Sequence, residues 1–229
     1  MIPEDILQEE LEGFFAQFNP VSYEKKGIIL QVDDHLAHIF YIKIGFVRAY
    51  RISEQGEELT IAILKPYDLF PIAWGDNGVP FECFLEAITP VSLWRIPRSR
   101  FMEFLNTHPA VFNKLVSSMS LRLGGLLTRI EYLVTGHANT KVATAVLACA
   151  RRFGSKRGDR IVVDLPLTHK DIATLVGITR ETACLEMKKL ERKGLISHEK
   201  RVLVVRDVEG LENESLVSEG ERLLLNSSL

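Results

Sequence analysis

The sequence predicts an α+β chain: an N-terminal antiparallel β-roll of the double-stranded β-helix or jelly-roll type, one long helix, and a C-terminal winged helix-turn-helix. Three observations carry this. Short runs rich in β-branched and aromatic residues, each closed by a turn signal, fill residues 20–97. One heptad pattern runs from Phe112 to Leu133. Two short, capped helices separated by a glycine follow, and then a hairpin. The expected division is 1–108 for the roll, 109–137 for the long helix and a hinge, and 138–229 for the last module.

In the roll, Ile39–Ile44 ends at Gly45 and Phe46–Ile52 follows. Ser53-Glu-Gln-Gly56 turns the chain into Leu59–Leu64, and Phe84–Ile88 and Val91–Ile96 are further strands, the last stopped by Pro97. The stretch Lys65–Pro80 holds Pro66, Pro71, Gly75, Gly78 and Pro80, so it reads as loop, where a rigid β scaffold would hold a ligand. Phe70, Ile72, Trp74, Phe81, Glu82 and Phe84 are the candidate pocket residues, and all but Glu82 are apolar. Core packing is the alternative reading of the same side chains.

In the long helix, Phe112, Val116, Met119, Leu123, Leu126, Ile130 and Leu133 recur at spacings of 4, 3, 4, 3, 4 and 3. An a/d-only stripe belongs to a coiled-coil seam, whereas a helix buried on its own domain shows a wider one. Self-association is therefore expected, with Leu115, Leu127 and Val134 widening the stripe towards the barrel in places. Gly124-Gly125 costs about 2 kcal/mol against alanine, which points to close approach or to a helix built to yield. Thr135-Gly-His-Ala-Asn139 breaks the helix, with Gly136 suited to its C-terminus and Asn139 to capping the next.

The last module begins with an amphipathic helix from Lys141 to Arg152, its apolar side formed by Val142, Val146, Leu147, Cys149 and Ala150. Thr168-His-Lys-Asp171 is a capping-box-like start for a helix that Gly177 stops. Thr179 caps a second helix, Arg180 to Lys193, closed by Gly194. Ala173 lets the two helices approach and Gly177 allows the tight turn of a helix-turn-helix. Arg201–Arg206, after Lys193-Gly-Leu-Ile-Ser-His198, reads as a wing.

Charge separates the halves that the formal net charge of −2 conceals. Ala138 to Val208 holds 15 Lys+Arg against 8 Asp+Glu, leaving 13 basic and 22 acidic residues elsewhere. A basic module that meets an anion, carried by an acidic one, is the expectation. No run approaches the roughly 18 apolar residues of a membrane helix. The acidic start Met1-Ile-Pro-Glu-Asp-Ile-Leu-Gln-Glu-Glu10 does not read as a signal peptide, and Cys83, Cys149 and Cys184 do not suggest a disulfide framework. A reducing, cytoplasmic setting is expected. Gly-x-Ser-x-Gly, Gly-x-x-x-x-Gly-Lys, His-Glu-x-x-His and Cys-x-x-Cys are all missing, so an enzyme is not expected.

Pro166-Leu-Thr-His-Lys-Asp-Ile-Ala-Thr-Leu-Val-Gly-Ile-Thr-Arg-Glu-Thr182, with Leu190-Glu-Arg-Lys-Gly-Leu-Ile196, resembles the winged helix-turn-helix of the CRP/FNR family of bacterial regulators. Tyr41-Ile-x-x-Gly45-x-Val47, Gly56-x-Glu58 and Asp68-Leu-Phe70 resemble that family's cyclic-nucleotide-binding-like roll. The resemblance covers residues 20–208 and leaves the first 20 and the stretch 211–229 without a reading. It implies a homodimeric transcription regulator on a near-palindromic operator in double-stranded DNA, with RNA polymerase as a candidate further partner. It implies DNA contacts at Thr168, His169, Thr179, Arg180, Glu181, Thr182, Leu185, Lys188, Lys189 and Arg201. Leu185 stands where the family commonly has a second arginine, and Glu186 where an apolar residue packs inward.

The family's cyclic AMP phosphate sits on a Gly-Glu pair and an Arg-Ser or Arg-Thr pair, and this sequence has Pro71-Ile72 and Phe81-Glu82 instead. Proline lacks the amide and Glu82 repels the anion, so cyclic AMP is not expected. Iron–sulfur members use N-terminal cysteines, and none precedes Cys83. Haem would need ligands such as His35, His38, His108 or His137, each more often a surface or core residue. No cofactor or metal is evident, and the effector stays open.

Overall fold

Helix α1 (Glu4–Phe15) precedes β1 (Pro20–Tyr23), β2 (Ile28–Leu30), β3 (His38–Ile44), β4 (Val47–Ile52), β5 (Glu58–Leu64), β6 (Leu69–Phe70), β7 (Phe84–Ala87) and β8 (Val91–Pro97). Then come α2 (Arg98–Thr107), α3 (Pro109–Thr135), α4 (Ala138–Phe153), the hairpin β9 (Gly154–Arg157) and β10 (Arg160–Val163), α5 (His169–Val176), α6 (Arg180–Arg192), β11 (Ile196–Glu199), β12 (Val202–Val205) and α7 (Val208–Glu214). The structure is a computed structural model that describes residues 4–32, 34, 37–71, 82–199 and 202–215. Of the candidate residues, Ile72, Trp74, Phe81, Arg201 and His35 lie outside the described residues.

Two four-stranded sheets build the roll, in the orders β1-β8-β3-β6 and β2-β7-β4-β5. β3 runs antiparallel to β8 with Tyr41 opposite Trp94, and β4 antiparallel to β7 with Tyr50 opposite Phe84. The five strands expected from the apolar runs all form, within two residues of the expected ends. Between β3 and β4, Gly45 has φ +91°, and a Cβ there would sit 2.3 Å from the Pro90 carbonyl oxygen. Only glycine fits that turn.

The contacts resolve two compact units, Met1–Arg51 with Ile63–Ser120 and Ile52–Ala62 with Leu121–Leu229. This differs from the division at 108 and 137: the boundary falls inside α3, and the β4–β5 turn with the start of β5 joins the C-terminal unit. In the first unit, Phe15 is fully buried and stacks on Tyr41 at 4.6 Å, while Phe14 stacks on Phe104 at 4.2 Å. Residues 1–20, which carry no sequence signal, thus supply a helix whose aromatic side chains extend the roll's core. Val111 and Leu115 of α3 belong to that same core.

In the second unit α4 is the central post, touched by α5, α6, α7, β9, β10 and β12. Every residue from Val142 to Ala150 is buried, so the expected amphipathic face is replaced by burial all round. The small side chains Ala143, Ala145, Ala148 and Ala150 let neighbours approach on each side. α7 and the hairpin β9–β10 carried no reading in sequence; Leu211 of α7 is fully buried.

Candidate nucleic-acid interface

Both helices of the helix-turn-helix start on the caps that the sequence announces. The Thr168 hydroxyl accepts from Asp171 N, and Thr168 N donates to Asp171 Oδ2 at 2.7 Å, closing a reciprocal capping box. Gly177 ends α5 with φ +66°, a left-handed cap that a Cβ would strain. Thr179 caps α6 by accepting from Thr182 N, and the two threonine hydroxyls share a hydrogen bond of 2.9 Å. Asn139 does not cap α4: it lies in the first turn, and His137 is the cap position without a side-chain bond. Gly136 N still donates to Tyr132 O, so α3 ends in a helical bond and α4 starts two residues on.

α6 has two faces. Ala183, Glu186, Met187 and Leu190 are buried, whereas Arg180, Glu181, Leu185 and Lys188 are exposed, Leu185 at 61%. Lys189 is exposed as well. Its ammonium pairs with Glu186 at 2.8 Å in a groove shared with His137, Asn139, Lys193 and Glu214. Glu186 Oε2 is buried without a partner.

The first residue of α5 brings in the wing. The His169 ring meets the His198 ring edge-on at 5.9 Å, and His198 Nδ1 lies 2.6 Å from Glu191 Oε1. Burial, then the His198 charge, holds the His169 pKa below the ordinary imidazole value, with Glu191 opposing and Arg180 and Lys188 adding to the depression. His198 and Glu191 carry no sequence signal, since only the packing of β11 on the helices brings them to His169.

On α3, six of the seven seam residues are exposed: Phe112 (47%), Val116 (46%), Met119 (37%), Leu123 (60%), Leu126 (39%) and Ile130 (57%). Leu133 is half-buried. Leu127 and Val134 are also exposed, at 62% and 76%, and so widen the open stripe.

In the roll, Phe70 stacks on Phe40 at 5.2 Å and Phe84 on Tyr50 at 5.3 Å. Glu82 is ion-paired with Arg51, and Arg48 lies over the Tyr50 ring and 3.5 Å from Glu86. His38 contacts Arg95, while His108 stacks on Phe104. Among the described residues no three His, Cys, Asp or Glu side chains cluster as metal ligands, and no helix is long and apolar enough to cross a membrane. Cys83 and Cys149 are buried, and burial pushes the Cys149 thiol up to about 12.

A family model described as a Crp-like helix-turn-helix domain matches residues 140–214, and one described as a cyclic nucleotide-binding domain matches residues 20–108. The chain is 29% identical over 196 residues to a global nitrogen regulator from a Nostoc species, covering 83% of this chain and 88% of that protein. A CRP-like cAMP-activated global transcriptional regulator from Mycobacterium tuberculosis is 26% identical over 196 residues, covering 85% and 87%. The solved structure of a CooA mutant from Carboxydothermus hydrogenoformans has a TM-score of 0.71 at 25% identity, covering 88% of this chain and 89% of that one.

Proposed function

Because the chain belongs to the CRP/FNR family of transcriptional regulators, we propose that it works as a homodimer joined along α3 that reads a near-palindromic operator with two copies of α6. One observation carries this reading: within one compact unit, an apolar seam at Leu123, Leu126 and Ile130 and a recognition face at Arg180, Glu181, Leu185 and Lys188 are both open to solvent. The seam suits a two-fold partner, which duplicates the recognition face for successive major grooves. Free amides at the α5 N-terminus, beside Thr168 and His169, suit a phosphate.

The roll's effector, in this reading, is not cyclic AMP. Pro71 has no amide to give a phosphate, and the Glu82 carboxylate already holds the Arg51 guanidinium. The nucleotide in the Mycobacterium relative's name is therefore not carried over. Haem and an iron–sulfur cluster are not part of the reading either. The cytoplasm is its setting, and RNA polymerase is a candidate further partner.

Selection from random duplexes tests the proposal. Two-fold-related half-sites about one DNA turn apart, roughly 34 Å, are expected, with affinity falling steeply as salt rises. Calorimetry should show no micromolar binding of cyclic AMP. Enrichment of no sequence, together with salt-insensitive binding, would instead make the chain a ligand-binding or protein-interaction module.

A further inference from the structure

The C-terminal half of α3 has a second face. Opposite the open seam, Gly125, Thr128, Arg129 and Tyr132 are buried, Arg129 to 3% exposure. The two terminal nitrogens of the Arg129 guanidinium bond to backbone. Its Nη1 donates to Ile61 O at 2.5 Å, and its Nη2 to Thr60 O at 2.5 Å and Leu175 O at 2.8 Å. Leu175 sits in the last turn of α5, where carbonyls lack helical partners and the helix dipole favours a cation. Burial lowers the Arg129 pKa, and the Tyr132 hydroxyl beside it is pushed up to about 12, chiefly by burial.

Two further ties join the same partners. Thr60 and Thr174, both buried, share a hydroxyl hydrogen bond of 2.9 Å, and Lys170 Nζ lies 3.1 Å from Glu58 Oε1. The start of β5 is thereby strapped to α5 at three levels, with Arg129 as the knot. All of these residues belong to one compact unit.

We propose that Arg129 is the positioning residue that fixes the helix-turn-helix against the seam, and so sets which half-site spacing the protein accepts. Arg129 adjoins Ile130 of the seam, so the backbone of one helical turn links dimer axis to clamp. The clamp holds α5, and the Gly177 turn carries its orientation to α6. A buried cation is a costly way to add stability, since an apolar side chain would fill the space as well. What the planar fork adds is geometry, with several donors at fixed angles to three carbonyls. Lysine offers a single rotating point charge and cannot meet strand and helix carbonyls in the same way.

The inference rests on the homodimer reading, and the test separates the two. The selected operator is compared with versions whose spacer is longer or shorter by one base pair, which shifts the half-sites by about 3.4 Å and roughly 35°. The unaltered chain should lose at least about tenfold in affinity on each change, and Arg129→Met less than about threefold, with weaker binding to the parent site. Arg129→Lys should resemble Arg129→Met. In sedimentation, Arg129→Met should remain dimeric, and its amides at 58–61 and in α5 should exchange faster. An Arg129→Met dimer with the full spacing discrimination of the parent overturns the proposal. If Arg129→Met does not fold, Thr60→Val with Thr174→Val decides, because replacing both partners by apolar groups of like shape is nearly neutral for stability. That pair must relax spacing for the proposal to stand. An unaltered chain that is monomeric overturns both readings, whereas a dimeric chain with rigid spacing in every variant overturns only this one.

Discussion

Placing glutamate at both Leu123 and Ile130 should dissolve the dimer. In the single chain these side chains are 60% and 57% exposed, and two-fold pairing would bury that remainder. Fully burying a leucine or isoleucine is worth about 1.5–3 kcal/mol, so each exposed part is worth about 1–2 kcal/mol. Four such side chains meet in a dimer, which makes the lost burial about 4–7 kcal/mol. Carboxylates facing their own symmetry mates add repulsion and desolvation to this. At about 1.4 kcal/mol per tenfold, the dissociation constant should rise by roughly three to five orders of magnitude. Sedimentation velocity from about 1 to 50 μM, a range where most specific dimers persist, reads this directly. Ser117→Glu, exposed but off the stripe, is the control and should leave a dimer. A double variant that still sediments as a dimer would refute the assignment of the seam, whatever its effect on DNA.

Three further outcomes are expected. Leu185→Arg places a guanidinium on the exposed recognition face and should add guanine preference at one half-site position, about 1–3 kcal/mol of discrimination; identical motifs selected by both proteins would count against that face. Glu186→Met removes a buried oxygen without a partner and should raise the urea midpoint, a gain of about 1–3 kcal/mol, the usual cost of an unsatisfied buried polar group; a lower midpoint would mean that the Lys189 pair matters more than the orphaned atom. His169 has a folded-state pKa below 6.5 because of burial and then His198, so its contribution to stability is complete above 6.5 and is lost as pH falls from there to the folded value. A DNA phosphate beside it favours the imidazolium, so affinity for DNA should rise over the same fall in pH, and His169→Gln should flatten that rise; a parallel pH dependence in both proteins would exclude His169 as its source.

The caps at Thr168 and Thr179, the left-handed Gly177 and the open seam on α3 match what the sequence announces, for a common reason. Each depends on residues three, four or seven apart, and helix geometry fixes where such residues fall. Lys189, exposed on the same helix, also pairs with Glu186 three residues before it at 2.8 Å, a contact of the same local kind.

Locality marks the boundary between the two sources of information. The sequence by itself determined the order of roll, long helix and winged helix-turn-helix, the five main strands, the apolar stripe of α3 and the start of each helix of the helix-turn-helix, because turns, caps and periodicities act within a few residues. Only the tertiary structure decided that α1 closes the roll through Phe15 on Tyr41, that α4 is buried on all sides, and that His198 meets His169. It alone decided that Arg129 reaches carbonyls 68, 69 and 46 residues away, and that Thr60 pairs with a hydroxyl 114 residues on. Such pairs have no sequence period, since a backbone carbonyl presents the same acceptor whatever side chain it carries. Where the chain folds to bring them together is what selects them.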